Sequence, residues 1–280
     1  MTRLKSLDIE SISAQLDNYD AELRIKTGCT LLGLACHAVE TEKNIIQDLI
    51  VSFKVGVVPT TCGKGIISGF ADAIKSIASH MGFKAFTTRH TDISGIAEAI
   101  ENKADILMMA DDNRFVALHL KHHRLIDNSS ATGKGYAAGL DLMNKGVKGE
   151  KCLVIGCGPV GRSAASALIN FGAIVSVYDI NQQRCRDLAE ELNRSFDRNI
   201  KIERTLESAL KNYRLLIEAT DAANVISDKN ITPETYIAAP GMPLGLNAAA
   251  YEKVYDRLLH DPLQIGSATM LVSAVIKDLR

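Results

Sequence analysis

The stretch Lys151-Cys152-Leu153-Val154-Ile155-Gly156-Cys157-Gly158-Pro159-Val160-Gly161-Arg162-Ser163 decides the fold. An apolar run of strand length ends on Gly156, and apolar residues at helical spacing resume from Arg162 to Phe171. Between them stands a complete GxGxxG. Gly156 suits a tight turn, Gly158 lets backbone approach a pyrophosphate, and Gly161 lets helix and strand pack closely. The free N–H groups at the helix start add a partial positive charge for the phosphates. A second apolar run, Ile174–Tyr178, ends on Asp179, 18 residues after Gly161. An acid there can accept hydrogen bonds from both adenosine ribose hydroxyls and repels a 2′-phosphate. No arginine directly follows it. The spacing therefore points to a Rossmann unit and to NAD rather than NADP.

Working outward, strands are expected at 151–155, 174–178, 200–204, 215–219 and 236–239, with helices between them and a last helix over 268–279. Two further strand ends, Thr220-Asp221 and Pro240-Gly241-Met242-Pro243, fall where ligands sit in parallel sheets. The first half repeats the alternation. Residues 6–50 read as helical, with Leu7, Ile9, Ile12 and Leu16 forming a stripe. Strands follow at 54–59, 84–88 and 105–110, helices at 66–81 and 93–102, and a helix at 131–145. The fold class expected is α/β, with two domains in series. The glycine-rich segment 146–150 marks the break, giving a domain over 1–149 and a Rossmann domain over 150–280.

The first domain's strand ends are Thr60-Thr61-Cys62-Gly63-Lys64-Gly65 and Asp111-Asp112-Asn113. Hydroxyls, a thiol and free amides after a strand suit a polar ligand. With no histidine nearby, Cys62 is read as pocket lining rather than as a nucleophile. Asp111 is a candidate for holding an ammonium or taking a proton. The alternative is that Asp111 or Asp112 caps a following helix.

Composition excludes several other roles. Lys plus Arg total 32 and Asp plus Glu 33, giving a net charge of −1, so nothing draws the chain to nucleic acid or an anionic membrane. Tryptophan is absent and aromatics make up 5%, which leaves no base-stacking platform. No run of about 18 apolar residues is present, and Met1-Thr2-Arg3-Leu4-Lys5 is no secretory signal. A cytoplasmic protein acting on a small molecule is expected. The six cysteines lack a CxxC pair and read as reduced, mostly buried thiols. His119, His122 and His123 have no acid or thiol at metal-ligand spacing, so no metal is expected and a solvated helix end is the reading.

Several runs together resemble the pyrrolysine synthases: Gly56-Val-Val-Pro-Thr-Thr-Cys-Gly-Lys-Gly-Ile-Ile, Asp92-Ile-Ser-Gly95, Ala110-Asp111-Asp112 with Phe115, and Asp261-Pro262-Leu-Gln-Ile-Gly266-Ser-Ala-Thr-Met-Leu. The likeness covers nearly the whole chain. It implies a small N-terminal catalytic domain before the Rossmann domain. The implied reaction is NAD-dependent oxidation of the terminal amine of 3-methyl-D-ornithyl-Nε-L-lysine to an imine and then an aldehyde, which cyclises to pyrrolysine. It also implies substrate-side roles for Leu4, Thr60, Thr61, Ala110, Asp111 and Asn128. The implied cofactor-side residues are Cys62, Gly158, Pro159, Val160, Asp179, Thr220, Pro243, Gly245 and Asp261. Cys62 stands where the family has serine, and Asp261 where it has glutamate.

The chemistry constrains the site. A lysine-like amine, with a pKa of about 10.4, is mostly protonated at neutral pH and must shed a proton before it can give up hydride. Asp111 would attract the cation but raise its pKa, whereas an apolar pocket with Leu4 as part of a lid would lower it. Asp111 is therefore assigned to orientation and proton relay. Two other readings stand beside this one. The first is a dehydrogenase of shikimate- or methylene-folate-dehydrogenase-like layout, and the second an NAD-sensing protein without turnover. A homodimer is the common assembly among such enzymes.

Overall fold

The computed structural model describes residues 4–276. The chain forms two compact units. Residues up to Ile25, Cys29–Ala131 and the chain from Pro262 onward make the first; Lys26–Gly28 and Thr132–Asp261 make the second.

Four helices open the chain: α1 Ser6–Ile9, α2 Ile12–Thr27, α3 Leu31–Ala38 and α4 Lys43–Ile50. Then β1 (Lys54–Val58), α5 (Phe70–Met81), β2 (Lys84–Thr87), α6 (Asp92–Glu101) and β3 (Ile106–Ala110) alternate as the periodicity predicts. Their order is β2-β1-β3, with all pairs parallel. The unit then departs from expectation. The chain turns straight back at residues 111–114 into β4 (Phe115–His119) and again into β5 (Arg124–Asp127), both antiparallel. No helix follows Asp111, so neither aspartate is a helix cap. His119 is likewise no helix end. It is a buried β4 residue, edge-on to the Phe53 ring at 5.7 Å, while His122 and His123 lie in the turn to β5. The run was hard to read because β4 is only five residues long and alternates in burial rather than in polarity.

The second unit contains the C-terminal part of α7 (Asn128–Met143), then β6 (Lys151–Ile155), α8 (Pro159–Asn170), β7 (Ile174–Tyr178), α9 (Gln182–Phe196), β8 (Lys201–Ile202), α10 (Leu206–Asn212), β9 (Leu215–Glu218), β10 (Tyr236–Ala238), α11 (Ala248–Val254) and β11 (Leu258–Leu259). All pairs are parallel in the order β8-β7-β6-β9-β10-β11. That is the doubly wound sheet, and its strand order reverses between β6 and β9. Leu153, Ile155, Leu216 and Ile237 are fully buried, which explains the near-continuous apolar strand runs.

A single break at 149/150 does not describe this division. The chain crosses to the second unit within α7, where Gly133 sits against the start of α8. It returns at Pro262, because α12 (Gln264–Val275) is buried on almost every side against α3, α4, α5, β4 and β5. A helix buried on nearly every side is a core helix, here carrying Gln264, Ser267 and Thr269 inside among its apolar residues. Its expected positions 277–279 lie outside the described residues. Among the described residues no helix is long and apolar enough to cross a membrane.

Candidate functional site

In the second unit, β6 ends at the switch point and the glycine turn follows it. Gly156 has φ +97°, open to glycine, and a Cβ there would meet the Ala219 carbonyl at 2.6 Å. A Cβ on Gly161 would fall on the Gly156 carbonyl oxygen. Around Gly158, by contrast, the space is open. Gly158 is the N-cap of α8 and Pro159 takes the first helical position, where a missing N–H costs nothing. Turn and helix end thus form a cradle suited to a pyrophosphate, with Pro159 exposed and Val160 half-buried at its rim.

Asp179 ends β7 as expected, but it is buried and already bonded. Its Oδ2 accepts the Cys157 N–H at 2.8 Å and its Oδ1 the Asn181 N–H at 2.8 Å. The carboxylate therefore fastens the glycine turn to β7, and each oxygen keeps a lone pair for a ribose hydroxyl. Beneath the turn, Cys157 and Cys185 stand with sulfurs 3.7 Å apart, and burial pushes both thiols up. Of the six cysteines four are buried, while Cys29 is half-buried and Cys62 exposed.

The remaining predicted cofactor residues gather at the ends of β9 and β10. Thr220 is half-buried, Pro243 exposed and Gly245 buried. Glu218, fully buried at the end of β9, brings Thr220 and Gly245 together by accepting from both. Sequence reasoning passed over it, although an acid closing the run Leu215-Leu-Ile-Glu218 was a signal. Asp261 is held elsewhere in this unit: the Tyr136 hydroxyl donates to its backbone carbonyl at 2.8 Å and lies 3.1 Å from its Oδ2. Burial and the neighbouring Asp261 charge push the Tyr136 hydroxyl well up, keeping it protonated.

A further unexpected contact is Gly133 on α7. A Cβ there would strike the Val160 carbonyl and come within 2.6 Å of Ser163 Cβ and 2.7 Å of Ala164 N, in the first turns of α8. Gly133→Ala should therefore destabilise by about 2 kcal/mol through overpacking. In an unobstructed helix the same change stabilises by nearly 1 kcal/mol. A urea titration reads the sign directly, and a higher midpoint would show that α7 and α8 do not pack this closely.

In the first unit, the ends of β1 and β3 are joined by side chains. The Thr60 hydroxyl donates to the Ala110 carbonyl. Thr61 donates its N–H to Asp92 Oδ1 at 2.8 Å and its hydroxyl to Asp92 Oδ2 at 2.6 Å. These two bonds, the hydroxyl first, hold the Asp92 carboxyl below its ordinary value. Asp112 Oδ2 accepts the Lys64 N–H at 2.7 Å. The loop after β1 is thus pinned at one end by Asp92 and at the other by Asp112. Thr60, Thr61, Ala110 and Asp111 lie on adjoining strand ends, with Cys62 on the pinned loop.

Asp111 is exposed and closes the β3–β4 turn. Its Oδ1 accepts the N–H groups of Asn113 at 2.7 Å and Arg114 at 2.6 Å, while Oδ2 takes part in neither bond. Arg114 pairs with Asp127 at 3.3 Å, beside half-buried Asn128 at the start of α7. Leu4 is half-buried just before α1. Among the described residues no group of three His, Cys, Asp or Glu side chains could hold a metal ion.

A parallel sheet in 3-2-1-4-5-6 order, a glycine turn at its switch point and an acid at the end of the second strand define a Rossmann-fold protein with the architecture of a two-unit dehydrogenase. Solved structures agree on the fold. Quinate dehydrogenase from Corynebacterium glutamicum in complex with NAD superposes with a TM-score of 0.54 at 15% identity, covering 80% of this chain and 93% of that one. Shikimate dehydrogenase from Aquifex aeolicus gives 0.52 at 14% identity, covering 81% and 91%. Residues 128–232 match the alanine dehydrogenase/PNT C-terminal domain, and residues 8–126 the N-terminal domain of the pyrrolysine biosynthesis protein PylD. Pyrrolysine synthase from Methanosarcina acetivorans is 31% identical over 275 residues, 98% of this chain and 99% of that protein. The Methanosarcina barkeri pyrrolysine synthase is 31% identical over 277 residues, 98% of each. The chain belongs to the pyrrolysine synthase family.

Proposed function

We propose that the protein is an NAD-dependent amine dehydrogenase that oxidises the terminal amine of 3-methyl-D-ornithyl-Nε-L-lysine. The observation that carries this reading is the near-full-length identity to the two Methanosarcina pyrrolysine synthases. The neutral amine loses a hydride from carbon and a proton from nitrogen, leaving an imine. Water converts the imine to an aldehyde with loss of ammonia. The free α-amine then condenses with the aldehyde, loses water and closes the pyrroline ring.

Bound NAD supplies the hydride acceptor. Gly156, Gly158, Gly161 and the first turn of α8, with Pro159 and Val160, would hold its pyrophosphate, and Asp179 its adenosine ribose. The buried carboxylate of Asp179 disfavours a 2′-phosphate, and Ile180 rather than an arginine follows it. Thr220, Pro243 and Gly245 would line the other end of the cofactor, with Cys62 and Asp261 as further cofactor-side residues. On the substrate side, Asp111 would orient the ammonium and pass on its proton, while Thr60, Thr61, Ala110, Asn128 and Leu4 would fix the chain of the substrate. Asp111 suits this role because its Oδ1 is committed to the turn, leaving Oδ2 for an incoming N–H.

Purified protein mixed with NAD and the methylornithyl-lysine amide should generate NADH, seen by absorbance, and a pyrroline-containing product, seen by mass. Bound NAD without turnover, in an assay where a Methanosarcina pyrrolysine synthase works, would sink this reading.

A further inference from the structure

We propose that Glu218 is a positioning residue for the dinucleotide, holding the loop of residues 240–245 against β9 and fixing the hydroxyl of Thr220 as a hydrogen-bond acceptor. The inference rests on the reading that the second unit binds a nicotinamide dinucleotide.

Glu218 pairs in register with Ile155 of β6, the residue just before the glycine turn. It therefore stands at the switch point, one strand away from the cradle. It is fully buried at the end of an otherwise apolar strand. A carboxyl group in such a place is costly unless its lone pairs are used. Here they are. Oε1 accepts the Thr220 N–H at 3.0 Å and the Thr220 hydroxyl at 2.5 Å, and Oε2 accepts the Gly245 N–H at 3.2 Å.

Two glycines are shaped around this carboxylate. A Cβ on Gly245 would fall on the Glu218 carboxylate, and one on Gly241 would meet Oε2 at 2.8 Å. The Gly241 N–H also donates to the Glu218 carbonyl at 3.2 Å. Residues 241 and 245 are thus drawn over one buried side chain, and Pro243 rides exposed between them. Burial pushes the Glu218 carboxyl up, as an isolated acid there demands, while the three donors pull it back.

The consequence for Thr220 is specific. A threonine hydroxyl has one proton to give and two lone pairs. The proton goes to Glu218, and one lone pair accepts the Ala222 N–H at 3.3 Å. What Thr220 still offers is a single acceptor site, suited to a sugar hydroxyl of the dinucleotide. Glutamine at 218 could satisfy Thr220 through its oxygen but would turn an NH₂ group toward the Gly245 N–H, setting donor against donor.

The test is NADH binding by fluorescence, with steady-state kinetics and thermal melting, for wild type, E218Q, T220V and the double variant. E218Q should stay folded, bind NADH about ten-fold more weakly and show a matching rise in KM for NAD, with KM for the amine unchanged. T220V should lose a similar factor. The double variant should fall short of the product of the two, since the residues share one bond. A folded E218Q within two-fold of wild type in NADH affinity would overturn the inference. So would an equal rise in both KM values, the mark of a merely structural role. If E218Q does not fold, an indifferent T220V overturns it. Wild-type protein that bound no dinucleotide would overturn the functional reading and this inference together.

Discussion

Asp111→Asn is expected to lower kcat by about 10²- to 10⁴-fold, the range that positioned proton transfer contributes, while NADH affinity and melting temperature stay near wild type. The geometry makes this an isolated change. Asparagine keeps an Oδ1 acceptor for the Asn113 and Arg114 N–H groups, so the β3–β4 turn retains both bonds. What disappears is the charge, and with it the attraction for an ammonium and the route for its proton. Asp111→Ala should show the same kinetic loss with a lower melting temperature, because the turn loses its acceptor as well. An Asn variant that kept more than a tenth of wild-type turnover would remove Asp111 from the mechanism. A protein that senses NAD without turnover would be indifferent to the change.

The second large effect is expected at Gly161. Alanine there places a methyl group on the Gly156 carbonyl oxygen, with Val154 Cγ1 3.3 Å away, so helix α8 must move off the turn or the turn must open. We expect NADH binding to weaken by at least 100-fold and stability to fall by about 3 kcal/mol, at the upper end for overpacking. Gly158→Ala separates the two consequences. Its backbone, with φ −73°, accepts any residue, and nothing stands within 4 Å of the added carbon. The free protein should melt as wild type does, yet bind NADH more weakly because the methyl group occupies the path of the pyrophosphate. Equal NADH affinity in Gly158→Ala and wild type would mean that the cradle is used differently from the proposal.

How much of this was legible in the sequence depended on the range of the interactions involved. The Rossmann alternation was clear because each buried strand is a short apolar run bounded by turns: Lys151–Ile155 and Ile174–Tyr178 have the bounds expected of them. The strand ends bearing Thr60, Thr61, Ala110 and Asp111 were equally visible, and the structure ties Thr60 to Ala110 directly. What was hidden is contact between residues far apart in sequence. Gly133 resembles any helix glycine until Val160 and Ser163 are seen against it. Asp92 looked like a motif residue; its work is to hold Thr61, 31 positions earlier. Asp179 was read only toward a ligand, and its bond to Cys157 across 22 residues was not foreseeable from spacing. The hairpin of β4 and β5 was missed for another reason: its strands are five and four residues long, and the clustered histidines read as a solvated helix end instead.

The return of α12 to the first unit governs the order in which the protein can be assembled. On the ribosome, β1 to β5 are made early, but the helix that seals their core emerges only after the whole second unit. The second unit, a continuous run from Thr132 to Asp261 apart from Lys26–Gly28 at the end of α2, can close beforehand. The first unit must wait with α3 and α5 not yet covered by the helix that packs over them. A chain released early would thus lose the unit it made first and keep the one it made second. That hazard is a matter of synthesis and chaperoning rather than of catalysis.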